Sequence, residues 1–185
     1  ENPTGFLRDT ETLSRPLDRH STEVFDICMA LRSPLLPAKR CAELLSDISL
    51  LAYVGGEDVQ ETVVTAGGLA LMRGIMEKFG GDPAADTGAG AVQATKAAID
   101  AVALTCRASN IAIHSAQDSG LPLVLMPFLS DAHDMAVRKA AASALLHVYH
   151  PDRGMVPLQH RPRTMRCLEA LATEDWSAWC APAID

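Results

Sequence analysis

His147 and His150 stand three apart near the end of a helical run, with Asp152 just beyond, a spacing that metal ligands use. A bound metal needs three or four ligands and partners behind them, and the sequence supplies no obvious fourth. No metal site is expected. A histidine in a last helical turn interacts favourably with the helix dipole, so a capping role is favoured. Gly88-Ala-Gly90 is not a dinucleotide fingerprint, because Gln93 replaces the third glycine and no strand precedes it. The chain has no phosphate-loop Gly-Lys-Ser/Thr, no Gly-x-Ser-x-Gly and no His-Glu-x-x-His. These motifs would be the positive reasons to assign a catalytic residue or a cofactor, so a non-enzymatic protein is expected. Trp176 and Trp179, three apart, are either anchors for a partner or a lid over the last element, and the lid is favoured.

Such residues need elements to hold them, and composition bounds what those are. The 185-residue chain fits one domain or one short array, 48 % hydrophobic but only 4 % aromatic. Its apolar content is mostly Ala and Leu, which favour helices, whereas strands want β-branched and aromatic side chains. All-α follows. The net charge is −7, most of it in the first hundred residues. An acidic chain without a basic stripe gains nothing from counterion release on a phosphate backbone, so no nucleic-acid partner is expected. Arg161, Arg163 and Arg166 read as a solvated helix start. Cys28, Cys41, Cys106, Cys167 and Cys180 form no Cys-x-x-Cys pair. The first three sit among apolar residues at helical spacing, as reduced, buried thiols do. A reducing compartment, the cytoplasm, is expected, and a start at Glu1 rather than Met leaves organelle import open. No apolar run is long enough to span a membrane.

The chain also repeats itself. Asp58-Val-Gln-Glu-Thr-Val-Val-Thr-Ala-Gly-Gly-Leu69 returns as Asn110-Ile-Ala-Ile-His-Ser-Ala-Gln-Asp-Ser-Gly-Leu121, aligning Gly68 with Gly120. Each copy is followed by a Lys-Ala-Ala helix, from Lys96 and from Lys139. A glycine-rich segment at 80–90 absorbs the difference in spacing and reads as an inserted loop. Self-similarity with a period of about 40–47 residues marks stacked helical units that bury their apolar faces only against neighbours. Expected helices run from a Ser21 cap to about 31, then about 38–53 ended by Gly55-Gly56, 58–66, 69–79, 91–107, 110–118, 121–130 and 134–149. Residues 1–20 read as an extended arm. The helical domain spans 21–163, and 164–185 is a capping helix and tail.

The unit of short helix, helix and long helix resembles the armadillo repeat over about residues 38–150. Gly120-Leu-Pro-Leu-Val124 looks like the turn into that family's second helix, with Pro122 at a first helical position. Val137-Arg-Lys-Ala-Ala-Ala-Ser-Ala-Leu-Leu-His147 looks like its third helix, where Ala141 and Ala144 let a neighbour pack closely. Pro127 departs from the pattern and should bend the last second helix. The resemblance implies a right-handed α-solenoid of two to three repeats, whose third helices line a groove that binds extended polypeptide. Importin-α-like members place a Trp and an Asn on each third helix. The matching positions here are Asp100 and Leu104, then Ser143 and His147, so nuclear-signal binding is not expected. With Lys96 and Lys139 one turn earlier, the groove reads as a mixed polar surface suited to an acidic or polar segment. A scaffold or adaptor for a protein or peptide partner, within a larger assembly, is the implied function. The alternative is a structural or regulatory subunit that contacts its neighbours through arm, loop and edges.

Overall fold

The computed structural model describes residues 19–81 and 88–149. Among them are seven α-helices and one 3-10 turn, with no strand. Helix α1 is Arg19–Leu31, α2 is Ala38–Thr65, α3 is Gly68–Phe79 and α4 is Gly88–Thr105. They are followed by α5 at Asn110–Asp118, α6 at Leu121–Leu125, a 3-10 turn at Met126–Leu129, and α7 at Met135–Val148. No helix among the described residues is long and apolar enough to cross a membrane.

Several boundaries differ from the sequence reading, each for a physical reason. Helix α1 starts at Arg19, two residues before the expected cap. Ser21 lies inside it, buried, with its hydroxyl 3.1 Å from that of Thr62. That contact across 41 residues takes the hydroxyl away from the helix end. The arm expected at 1–20 therefore cedes Arg19 and His20 to α1, and residues 1–18 lie outside the described residues. Helix α2 is two arms joined at Gly56, whose φ of 63° and ψ of −148° leave helical space where the sequence marks a stop. Helix α4 begins at Gly88, inside the loop read as 80–90. Residues 82–87 are outside the description, as are the expected helix at 164–172, His150, Asp152, Trp176 and Trp179. Pro127, expected to bend a helix over about 121–130, stands instead in a 3-10 turn at Met126–Leu129, and the α-helical run stops at Leu125.

Two turns share one backbone geometry, in a register one residue away from the sequence alignment of Gly68 with Gly120. Gly67, at φ 76°, and Gly120, at φ 71°, each occupy the left-handed position that opens the next helix, so Gly67 and not Gly68 is the counterpart of Gly120. A side chain at that φ meets its own backbone, which is why glycine stands there twice. Each of these turns is held by an arginine from earlier in the chain. Arg32 donates to the Ala66 carbonyl at 3.1 Å, and Arg73 to the Ser119 carbonyl at 2.8 Å. Gln60 adds a third tie, reaching forward to the start of α5, where Ser109 caps the helix by accepting from the Ala112 N–H at 3.1 Å.

The core follows the helical stripes. Leu45, Ile48, Met72, Met76, Ile99 and Ile113 are fully buried. So are Ala94, Ala98 and Ala101 on α4 and Ala141 and Ala144 on α7. Small residues on those faces let the long helices approach closely, as expected for Ala141 and Ala144. Helix α4 is central. It packs against α2 on one side and α7 on the other.

Candidate partner-binding groove

The first arm of α2 and the whole of α4 run side by side in the same direction. At their N-terminal ends a Cβ added to Gly90 would lie 3.7 Å from the Ala38 Cβ. At the other end the Arg107 guanidinium sits 4.7 Å over the Tyr53 ring. Between them lies an open groove of about 790 Å³. Helix α2 contributes Lys39, Ala42, Glu43, Ser46, Asp47 and Ser49. Helix α4 contributes Gln93, Lys96, Ala97, Asp100, Ala103 and Leu104, and α7 adds Ser143 and His147 at one end. The spacing explains the set: on each helix the lining residues recur at i, i+3 and i+4, on the side opposite the core stripe of Cys41, Leu44, Leu45 and Ile48.

Of the six groove residues expected from sequence, five meet here: Lys96, Asp100, Leu104, Ser143 and His147. Lys139 does not line the groove; it sits one turn before Ser143, where α7 has not yet reached it. The electrostatics also differ from the sequence reading. Lys96 is no waiting cation, since its ammonium pairs with Asp100 at 2.6 Å on the same helix face. Arg40 pairs likewise with Glu43 at 2.8 Å. Among the described residues Asp47 and Lys39 make no ion pair, so the uncompensated charges of the groove are one carboxylate and one ammonium on α2. The sequence reading assigned α2 no role in the groove. Its signal was legible in Lys39, Glu43, Ser46 and Leu50, polar or exposed positions in phase with one another and out of phase with the core.

The lining stripe of α2 continues past the groove as Leu50, Tyr53 and Val54. These are 62 %, 57 % and 62 % exposed, and Leu104 faces them from α4 at the groove's end. The groove thus passes from charged groups at one end to an exposed apolar and aromatic surface at the other, where Arg107 stands over Tyr53.

The cysteines among the described residues lie outside the groove. Cys28, Cys41 and Cys106 are free and buried. Burial pushes the Cys28 thiol up to about 11, against a smaller opposing pull from Arg32, and Cys106 up to about 12. Neither is a thiolate near neutral pH. Among the described residues no three His, Cys, Asp or Glu side chains converge as metal ligands would. Compared with known proteins, the chain matches no family model, no curated protein and no solved structure.

Proposed function

We propose that the chain is a non-enzymatic protein–protein interaction scaffold, an armadillo-type right-handed solenoid of two to three units that holds a partner polypeptide in the α2–α4–α7 groove. The observation that carries this reading is the groove itself, to which three long helices, α2, α4 and α7, contribute lining residues. Stacked units of this kind present continuous surfaces to extended segments. A groove open along its length suits recognition of an extended segment.

A photo-crosslinking amino acid placed at Ser46, in the groove, and separately at Glu77, on exposed surface outside it, tests the reading. A partner polypeptide captured through position 46 and not through position 77 is the expected result. Capture only through 77, or at neither, ends the groove reading.

A second reading, an accessory subunit seated by its edges, is favoured by one observation. Leu35, in the turn between α1 and α2, is 89 % exposed at the N-terminal edge. A neighbour covering that edge would crosslink from position 35 instead.

A further inference from the structure

From the charge order along the groove, and resting on the proposed function above, we infer that the occupant is an extended peptide carrying an acid, a base four residues on, and an apolar side chain two residues beyond that. Three observations fix the order. Lys39 lies at the end where α2 and α4 both begin, so the positive ends of two parallel helix dipoles reinforce its ammonium. Asp47 lies eight residues further along the same face, about 12 Å at the rise of an α-helix. Between them the pairs Arg40–Glu43 and Lys96–Asp100 cancel one another, which leaves the groove with a direction of charge but almost no net charge. Just past Asp47 comes the exposed apolar surface of Leu50 and Val54, with Tyr53 beside them under the Arg107 guanidinium, and Leu104 lines the groove from α4.

An extended chain rises about 3.3 Å per residue and turns alternate side chains to one face. Four residues therefore span the distance from Lys39 to Asp47, and two more reach the apolar end, all three side chains facing the groove. A uniformly acidic ligand meets Asp47, and a uniformly basic one meets Lys39 and the helix N-termini, so complementarity of charge selects the mixed order. The acid that the sequence reading placed opposite Lys96 moves to Lys39, because Asp100 already occupies Lys96.

The test is selection of a randomised dodecapeptide library on the immobilised protein, in parallel with Asp47→Lys and with the double variant Leu50→Ser, Tyr53→Ser. All three positions are exposed, and circular dichroism checks that each variant remains helical. Wild type should enrich acid, base and apolar residues at the stated spacing. Asp47→Lys should replace the selected base with an acid. The double variant should lose the apolar preference and weaken binding at least about tenfold. A motif unchanged by Asp47→Lys, a pool of uniform charge, or no enrichment at all overturns the inference. So does self-association of the protein in sedimentation that Tyr53→Ser abolishes, since a second copy would then be the occupant. The crosslink from position 46 reads any groove partner, so its success alongside a failed motif sinks the charge order alone.

Discussion

Gln60 accepts the backbone N–H of Ser109 on its side-chain oxygen at 2.9 Å, across 49 residues of chain. The same oxygen accepts the Ala108 N–H at 3.1 Å, while the amide nitrogen donates to the Ala52 carbonyl at 3.2 Å. Ala52 lies one turn before the break at Gly56, and the two N–H groups belong to the turn before α5. One buried side chain satisfies all three.

Gln60→Leu keeps the volume and removes every one of those bonds. Leaving buried backbone groups unpaired costs about 1–3 kcal/mol each, so a loss of at least about 2 kcal/mol is expected. A chain of this size should lose roughly 4–8 °C in melting temperature. An unchanged midpoint would mean that water or a neighbour replaces the amide.

Gly120 and Gly74 should respond to alanine with opposite signs. Gly120, at φ 71°, should lose about 1–2 kcal/mol. Gly74 lies inside α3, and an added Cβ there meets nothing within 4 Å. Gly74→Ala should therefore gain about 0.4–1 kcal/mol through the unfolded chain. Denaturant titration of both variants reads the contrast, and two changes of the same sign would contradict the backbone geometry.

Ala144→Leu should destabilise by about 1–3 kcal/mol, because Ala144 is wholly buried where α7 packs on its neighbours. Leu146→Ala, one turn face away and 62 % exposed, should change stability by less than about 0.5 kcal/mol. Equal midpoints for the two would place α7 in a different rotation.

Cys106 gives stability an alkaline limit. Its thiol is raised from 9.0 to about 12 in the folded chain by burial. Below about pH 9 it is neutral in both states and its contribution is complete. Between about 9 and 12 the unfolded chain has released a proton that the folded chain retains, so stability falls with pH, by at most about 1.4 kcal/mol per unit. Cys106→Ala should flatten this slope relative to wild type in urea titrations from pH 8 to 10.5. Parallel slopes would show that the thiol has water access.

The sequence disclosed the helices well and their partners poorly. The stripe of Val24, Cys28 and Leu31 on α1 or of Cys41, Leu44, Leu45 and Ile48 on α2 is a local period, visible without a fold. The choice between Gly67 and Gly68 is not, because both tolerate a positive φ and only the packed backbone selects one. Ser21 looked like a cap because serine commonly caps; its bond to Thr62 depends on how α1 lies on α2. The burial of Gln60 depends on how the second arm of α2 meets the turn before α5, which no local pattern carries. The Lys96–Asp100 pair was legible in its i, i+4 spacing. It was assigned outward, to a partner, although the nearest carboxylate was already on the same helix face.

Four side-chain-to-backbone ties run forward along the chain, whereas Lys78 reaches back to the Pro34 carbonyl at 3.1 Å. Arg32 reaches forward to Ala66, Gln60 to Ala108 and Ser109, Arg73 to Ser119, and Gln117 to the Val148 carbonyl at 2.7 Å. In each case the grasping side chain is synthesised before the backbone group it holds. As the chain leaves the ribosome, each of the groups held by these four side chains meets a clamp that has already emerged. A nascent chain arrested after α4 should therefore carry its own finished layers, with the Arg73 guanidinium still open to the turn that Ser119 and Gly120 have yet to make.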